Sequence, residues 1–354
     1  MSRKRIAVAV FAACAIGTAL QAHAGTAVPG HGGARAPDPV SEAAMDAHRA
    51  WRIDTAARLS VNGGARELAL AALLASSGDI DAEGNLAPVA EPEAAAWTRR
   101  ASASAAGDAI ANLLLASAHA ADDPASAGIR HAAAARWRAA EPDNLAPLLY
   151  LDLEPAELVP AAADSRRFSL HVVETIRWAA GAMAAHPPTA EMQAAFDAEW
   201  YAAGEGAAPQ AREQVMLQAA GIVVAFAIPN LGQLTKACGA DAMETDPARR
   251  DACAHVAAVM RHASDTELGA GIGRALSRRL GSPDALAGLD AEDRQRRWTA
   301  QQMGIALSGH VPSALLALYA DPALTTEQAL AERAIEEAGL PLVPPDDWNP
   351  RSAY

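Results

Sequence analysis

Histidine, cysteine, serine and carboxylate side chains carry most acid–base, nucleophilic and metal chemistry in proteins. Beyond residue 39 this chain has His48, His119, His131, His171, His186, His255, His262 and His310. No H-E-x-x-H pair occurs among them. His255 and His262 stand seven residues apart, which places both on one helical face with Asp265 just beyond. Two imidazoles and a carboxylate could grip a metal ion, yet the spacing supplies no third firm ligand, so a solvated helix face is the expectation. Ser308-Gly309-His310 is a single adjacency without the G-x-S-x-G turn that exposes a serine nucleophile. The acidic pairs Glu91/Glu93, Glu336/Glu337 and Asp346/Asp347 suit the surface of any acidic helical protein. A glycosidase needs one particular carboxyl in a cleft, and spacing singles none out. The run Gly269-Ala270-Gly271-Ile272-Gly273 lacks the strand before it and the ribose-binding acid after it that a phosphate-cradling loop requires. Gly269 and Gly273 instead share a helix face, where another helix can approach closely. Each glycine costs a helix about 1 kcal/mol, so a packing gain should offset it. No catalytic, cofactor-binding or metal residue is assigned.

The cysteines point to a compartment. Arg3-Lys4-Arg5 precedes an apolar stretch from Ile6 to Leu20 and an exit at Ala22-His23-Ala24. A charged start, a short apolar middle and an A-x-A exit make a secretory signal peptide, with cleavage expected after Ala24 and the periplasm as destination. The stretch is shorter than the roughly 20 residues a membrane span needs, and no transmembrane segment is expected in the mature chain. The alternative is a lipoprotein anchored at Cys14, disfavoured because Phe11 occupies an aliphatic position and apolar residues continue beyond Cys14. Cys238 and Cys253 survive processing. Their spacing matches neither a C-x-x-C redox pair nor a zinc pattern, so a disulfide between them is expected. In the chain-entropy account a loop of this size stabilises the fold by about 3 kcal/mol.

Losing the leader takes three of the 29 basic residues and no acid, leaving 26 against 42 acidic, a formal charge of −16. Lys236 is then the sole lysine. Such a chain has no general attraction for phosphate backbones, and nucleic-acid binding is disfavoured.

The elements that must position these groups are helical. Hydrophobic residues make up 51% of the chain but aromatics only 4%, because alanine supplies much of the apolar count. Alanine is the best helix former, and no useful stretch alternates with the period of a strand. The fold class is all-α, with helical hairpins stacked as an irregular α-solenoid or array. Leu268, Ile272, Leu276 and Leu280 follow Asp265 at four-residue steps, and Gly281 closes that helix. Asp246-Pro247 starts another. Residues 166–186 are expected to form one long helix ended by Pro187-Pro188. Thr325 or Thr326 starts the last helix, stopped by Gly339. Residues 215–228 are apolar on all sides and predict a buried central helix that Pro229 ends. The segment Arg294-Gln295-Arg296-Arg297-Trp298 is the densest basic patch, expected to be a solvated face pairing with Asp290, Glu292 and Asp293.

Trp51, Trp97, Trp137 and Trp178 recur at intervals of 46, 40 and 41 residues. Trp51 precedes NGGARELALAALLA and Trp97 precedes AAGDAIANLLLA, each a glycine-containing turn entering an apolar helix. Paired helices at a period near 40 suggest a stacked array. Residues 136–151 (RWRAAEPDNLAPLLYL) continue the pattern with a helix that runs into an acidic-Pro-Asx turn. Over about residues 97–151 the chain resembles tetratricopeptide-like helical-repeat proteins, and in overall style it is similar to exported alanine-rich helical bacterial proteins. The repeat resemblance implies a concave protein-binding surface; no binding residues carry over. The organisation expected is a signal peptide at 1–24, a Gly/Pro-rich linker at 25–39 and a hairpin region at 40–160. A disulfide-bearing helical region at 161–340 and an extended tail at 341–354 follow, with Trp348 tucking the tail onto the body and 154–165 as the boundary. The function expected is a periplasmic scaffold that binds a protein or peptide and uses no cofactor. The alternative is a cell-envelope hydrolase with its site in residues 166–340.

Overall fold

The computed structural model describes residues 39–349, apart from 77–78, 81–85, 88–91, 119–123, 203–206, 245, 282, 287 and 309–310. The signal peptide, Cys14, all of the linker but Pro39, His119, His310 and Glu91 therefore lie outside the described residues. The fold is all-α. Strands among the described residues amount to one two-residue pair, in which Asp79 faces Ala87 and Ile80 faces Leu86.

The chain forms two compact units that interleave along the sequence. Among the described residues, the first holds those up to Pro142, Tyr150–Asp152 and Thr175–Pro229. The second holds Asp143–Leu149, Leu153–Glu174 and the described residues from Asn230 onward. Residues 175–229 thus fold with the N-terminal hairpins. The stretch 154–165, expected as a boundary, follows the change of unit between Asp152 and Leu153 and contributes a short helix to the second unit.

The first unit begins with α1 (Pro39–Asn62), the turn at Gly63-Gly64 and α2 (Ala65–Ser76). Then come α3 (Pro92–Ser104), α4 (Ala109–Ser117) and α5 (Pro124–Ala140). Neighbours in this series pack on one another. Eight consecutive residues of α2, Leu68 to Ala75, are buried, and so are Ile110 to Ser117 in α4. Alanine makes this possible: with no bulk beyond Cβ, a helix can be enclosed on several sides without overpacking. Fully burying each leucine adds about 1.5–3 kcal/mol. After α5 the chain turns through Glu141–Asn144 into a 3-10 helix (Ala146–Tyr150). The unit is completed by most of α7 (Val172–Ala184), by α8 (Ala190–Ala202) and by α9 (Ala211–Phe226). The first helix also packs on α8, a contact between distant segments that a purely nearest-neighbour stack does not make.

Here α9 departs from expectation. Its buried side chains, among them Val215, Met216, Ile222, Val223 and Phe226, share the helix with exposed Gly221 and Ala225. One face is open because the outward residues are small, a distinction that hydropathy alone does not make.

The second unit contains α6 (Pro155–Ala161), α10 (Gly232–Ala237), α11 (Ala240–Glu244), α12 (Pro247–His262) and α13 (Glu267–Leu280). It continues through α14 (Pro283–Leu286), α15 (Leu289–Ala306), α16 (Val311–Ala320) and α17 (Glu327–Glu337). The Asp246 carboxylate caps α12 and Pro247 takes its first position. Gly281 closes α13 in the left-handed region at φ +65°. Cys238 and Cys253 form the expected disulfide, with Cα atoms 5.7 Å apart.

Gly269 and Gly273 do what their shared face predicts. A Cβ on Gly273 would stand 2.3 Å from the Arg261 amide nitrogen, and one on Gly269 2.5 Å from Phe168 Cδ1. Only hydrogen at those positions lets α13 lie this close to α12 and to residue 168.

The expected helix over 166–186 is shorter. It starts at Val172, and residues 166–170 are extended. The Leu145 amide donates to the Arg167 carbonyl at 2.9 Å, and the Phe168 amide donates to the Ala263 carbonyl at 2.9 Å. Backbone partners on both sides outcompete the local helix, a tertiary override of propensity.

Candidate functional site

The polar groups of the second unit converge where α13 and α17 begin. Both starts carry the same two residues. Thr266 caps α13, its hydroxyl accepting from the Gly269 amide, and Glu267 follows. Thr326 caps α17, accepting from the Ala329 amide, and Glu327 follows. An acid in the first turn faces the positive end of the helix dipole, which favours its charge. Here the two starts are joined. The Glu267 amide donates to Glu327 Oε2 at 2.6 Å, and the Glu327 amide donates to the Asp265 carbonyl at 3.0 Å. Each chain segment thereby satisfies a donor that a helix start leaves open.

Asp265 holds the extended segment. Its Oδ2 accepts from Ser169 Oγ at 2.7 Å and from the His171 amide at 2.8 Å, and its Oδ1 accepts from the Leu170 amide at 3.0 Å. Asn144, fully buried, works on the other side of the segment. Its side-chain oxygen accepts from the Ser169 amide at 2.9 Å and its Nδ2 donates to the Ser169 carbonyl at 2.9 Å. This clamp gives His171 a left-handed φ of +50°, unusual for a side chain of its size. The His171 ring then meets Glu174 Oε2 through Nδ1 at 2.8 Å.

The electrostatics follow from burial. Burial pushes the Asp265 carboxyl above the usual range, against the pull of the Ser169 hydroxyl and two amides. Glu327 moves further, to about 8: burial raises it, the Glu267 amide opposes, and the charges of Glu267 and Asp265 add to the rise. At neutral pH Glu327 thus holds a proton between two other carboxyl groups. Buried Arg274 reaches Glu267 at 3.5 Å and Asp293 at 3.5 Å. Nearby, buried Arg261 forks onto Glu292 with contacts of 2.6, 2.8 and 3.0 Å. Burial works against the Glu292 charge, yet this guanidinium holds the carboxyl below its usual range.

The residues singled out by spacing are dispersed. His255 bonds the Ser165 carbonyl through Nε2 at 2.9 Å, His262 lies exposed at the end of α12, and Asp265 is engaged as described. Among the described residues no group of three histidines, cysteines or acids could hold a metal ion. Ser308 donates to the Ile305 carbonyl at 2.8 Å. Glu336, Glu337, Asp346 and Asp347 are exposed. In the first unit His48 stacks on Phe196 with ring centroids 3.9 Å apart; burial and then neighbouring Arg52 lower it to about 4.

The basic patch on α15 is exposed at Gln295 and Arg297, half-exposed at Arg294 and Arg296, and buried at Trp298. Arg278 and Arg274 pair with Asp293, and Glu292 is occupied by Arg261. Arg294, Gln295 and Trp298 instead hold the tail. Trp298 Nε1 donates to the Pro341 carbonyl at 2.8 Å and Gln295 Nε2 to the Leu342 carbonyl at 2.7 Å. Arg294 donates to the carbonyls of Asp346 at 3.0 Å, Trp348 at 3.4 Å and Pro345. Trp348 therefore does tuck the tail down, its ring 5.2 Å from that of Trp298 and edge-on to it.

Spacing did not reveal Ser169, Asn144, Glu327 or Arg274 as partners. The available signal was the repeated Thr-Glu pair, which marks each helix start but not the meeting of the two. No family model, curated protein or solved structure matches this chain.

Proposed function

We propose that the protein is exported to the periplasm and works there as a helical scaffold that binds a peptide or protein partner. One observation carries the choice of binding over catalysis: the groups best suited to acid–base chemistry are engaged in holding the backbone. Asp265 grips residues 169–171, Glu327 closes the start of α13, and His255 bonds a carbonyl. The buried Cys238–Cys253 bridge and the basic-apolar leader support the compartment. The resemblance of residues 97–151 to tetratricopeptide-like repeats supports a protein-facing role. The test is fractionation of native cells. The mature chain should begin at Gly25, sit in the periplasmic fraction with both cysteines oxidised, and capture a partner stoichiometrically after cross-linking. Two freely alkylated thiols, or an unprocessed cytosolic chain, would refute the reading.

A second reading, a cell-envelope hydrolase, draws on Glu327. A carboxyl held up to about 8 beside Asp265 has the protonation of a general acid at neutral pH. Turnover of cell-wall fragments that vanishes in a folded Glu327→Gln variant would favour it over the scaffold.

A further inference from the structure

The second unit already holds a proline-rich peptide, its own C-terminal segment, which is not extended as expected: it bends at Leu342-Val343 and turns at Asp346-Asp347, the Trp348 amide donating to the Pro345 carbonyl at 3.0 Å. We propose that the α15 face carrying Arg294, Gln295 and Trp298 is a binding site for a proline-rich segment of a partner chain that ends in a turn before an aromatic residue, with residues 341–348 as its built-in competitor. The inference rests on the scaffold reading and names the partner's chemistry.

The grip is directed at main-chain carbonyls. Five of them, on Pro341, Leu342, Pro345, Asp346 and Trp348, accept from three side chains of α15. Arg294 and Trp298 lie four residues apart on one helix face, and Gln295 is beside them. Donors of this kind suit proline-rich ligands. Proline has no N–H, so a proline-rich segment offers its own carbonyls few donors; of the five gripped here, the Pro345 carbonyl also accepts from the Trp348 amide at 3.0 Å. A tryptophan indole donating to such a carbonyl beside an apolar seat is the physics of proline-segment recognition in general.

Side-chain demands are few. Pro344 is buried against the body, and Trp348 lies edge-on to Trp298 with the Arg294 guanidinium 5.9 Å from its centroid. Val343 is 71% exposed, and Pro341 and Pro345 also face solvent. A site that reads carbonyls, one proline and one aromatic accepts other sequences with those features.

Helix α17 is closed before the tail begins: Gly339 takes φ +65° and the Leu340 amide donates to the Ile335 carbonyl at 3.0 Å. Tethering a few residues away gives the tail an effective concentration in the millimolar range. A free peptide must therefore compete with it, and loosening the tail should raise apparent affinity.

The experiment uses the full-length chain and a fluorescein-labelled synthetic peptide of sequence GLPLVPPDDWN, read by fluorescence anisotropy. Trp348→Ala should bind the peptide at least tenfold more tightly than the natural chain, and Pro344→Ser, a second loosened variant, should do the same. Adding Arg294→Ala and Gln295→Ala, both at exposed or half-exposed positions, should abolish the gain while circular dichroism melts stay alike. A peptide with its three prolines replaced by alanine should not bind. Equal binding by natural and loosened chains, or binding indifferent to Arg294 and Gln295, overturns the proposal. A natural chain that sediments as a dimer and dissociates on Trp348→Ala would place a second copy's tail in the site and also overturn it. Failure here removes this site alone; the scaffold reading falls only with the fractionation and capture test.

Discussion

The two compact units are stabilised by different means. In the first, long runs of alanine and leucine in α2 and α4 are buried almost residue by residue, and Trp51 and Trp137 sit at 1% and 0% exposure. Its polar contacts trim the edges, as where Arg66 pairs with Asp108, which also caps α4. In the second, charged and amide side chains reach into the structure and hold irregular backbone. Asp265 and Asn144 clamp one extended segment, Arg261 forks onto Glu292, two helix starts are linked through Glu327, and a disulfide joins Cys238 to Cys253. Apolar hairpins tolerate small changes because many contacts share the load. A polar clamp fails abruptly, because a buried donor that loses its acceptor pays its full desolvation.

Single deletions should expose that contrast most strongly. Asp265→Ala leaves two amides and a hydroxyl without their acceptor, a loss of about 3–5 kcal/mol at roughly 1–3 kcal/mol per group after partial relaxation. Hydrogen exchange should show protection collapsing in α12 and α13 while α2 and α4 keep theirs. Trp137→Ala should remove about 3–5 kcal/mol by cavity formation, with protection lost first in α4 and α5. Equal loss in both units from either variant would dissolve the distinction.

Reduction of the disulfide should act next, by about 3 kcal/mol, and only on the second unit. Denaturant melts with and without reductant, followed by exchange in α10 and α12, give the measurement. A reduced chain that loses protection first in the hairpins would contradict it.

Opposite pH responses make the finest test. Unfolded Glu327 ionises near 4.5, whereas the folded carboxyl keeps its proton to about 8. Its contribution is therefore complete below 4.5 and drains away as pH rises to 8. His48 runs the other way: the unfolded ring takes a proton near 6.5 and the folded ring refuses it until about 4. Stability is then lost as pH falls through that interval. Raising pH from 4.5 to 8 should weaken the second unit, and lowering it from 6.5 to 4 should weaken the first. Glu327→Gln should flatten the first response and His48→Gln the second. A Glu327→Gln chain whose second unit still weakens between pH 4.5 and 8 would show that the junction at Glu327 does not set this response.

Local rules were legible in proportion to how local the physics is. Asp246-Pro247, Thr326 and Gly281 mark helix ends because capping needs only neighbours along the chain. Gly269 and Gly273 announced a close approach because four-residue spacing fixes a shared face. The start at Val172 was illegible, since residues 166–170 are held open by Asn144 and Asp265 from 22 or more positions away. The basic patch on α15 likewise carried no mark of the tail it grips.

Composition, periodicity and spacing alone determined that this chain is helical, where several of its helices begin or end, and that Cys238 and Cys253 would pair. Each of these depends on intrinsic backbone preference or on a choice between two partners. Tertiary structure decided which polar groups meet: Glu327 with Glu267, Asp265 with residues 169–171, Arg294 with the tail. Such meetings depend on segments far apart in sequence arriving at one place, and a carboxyl changes from surface ornament to buried clamp only once water has been excluded around it.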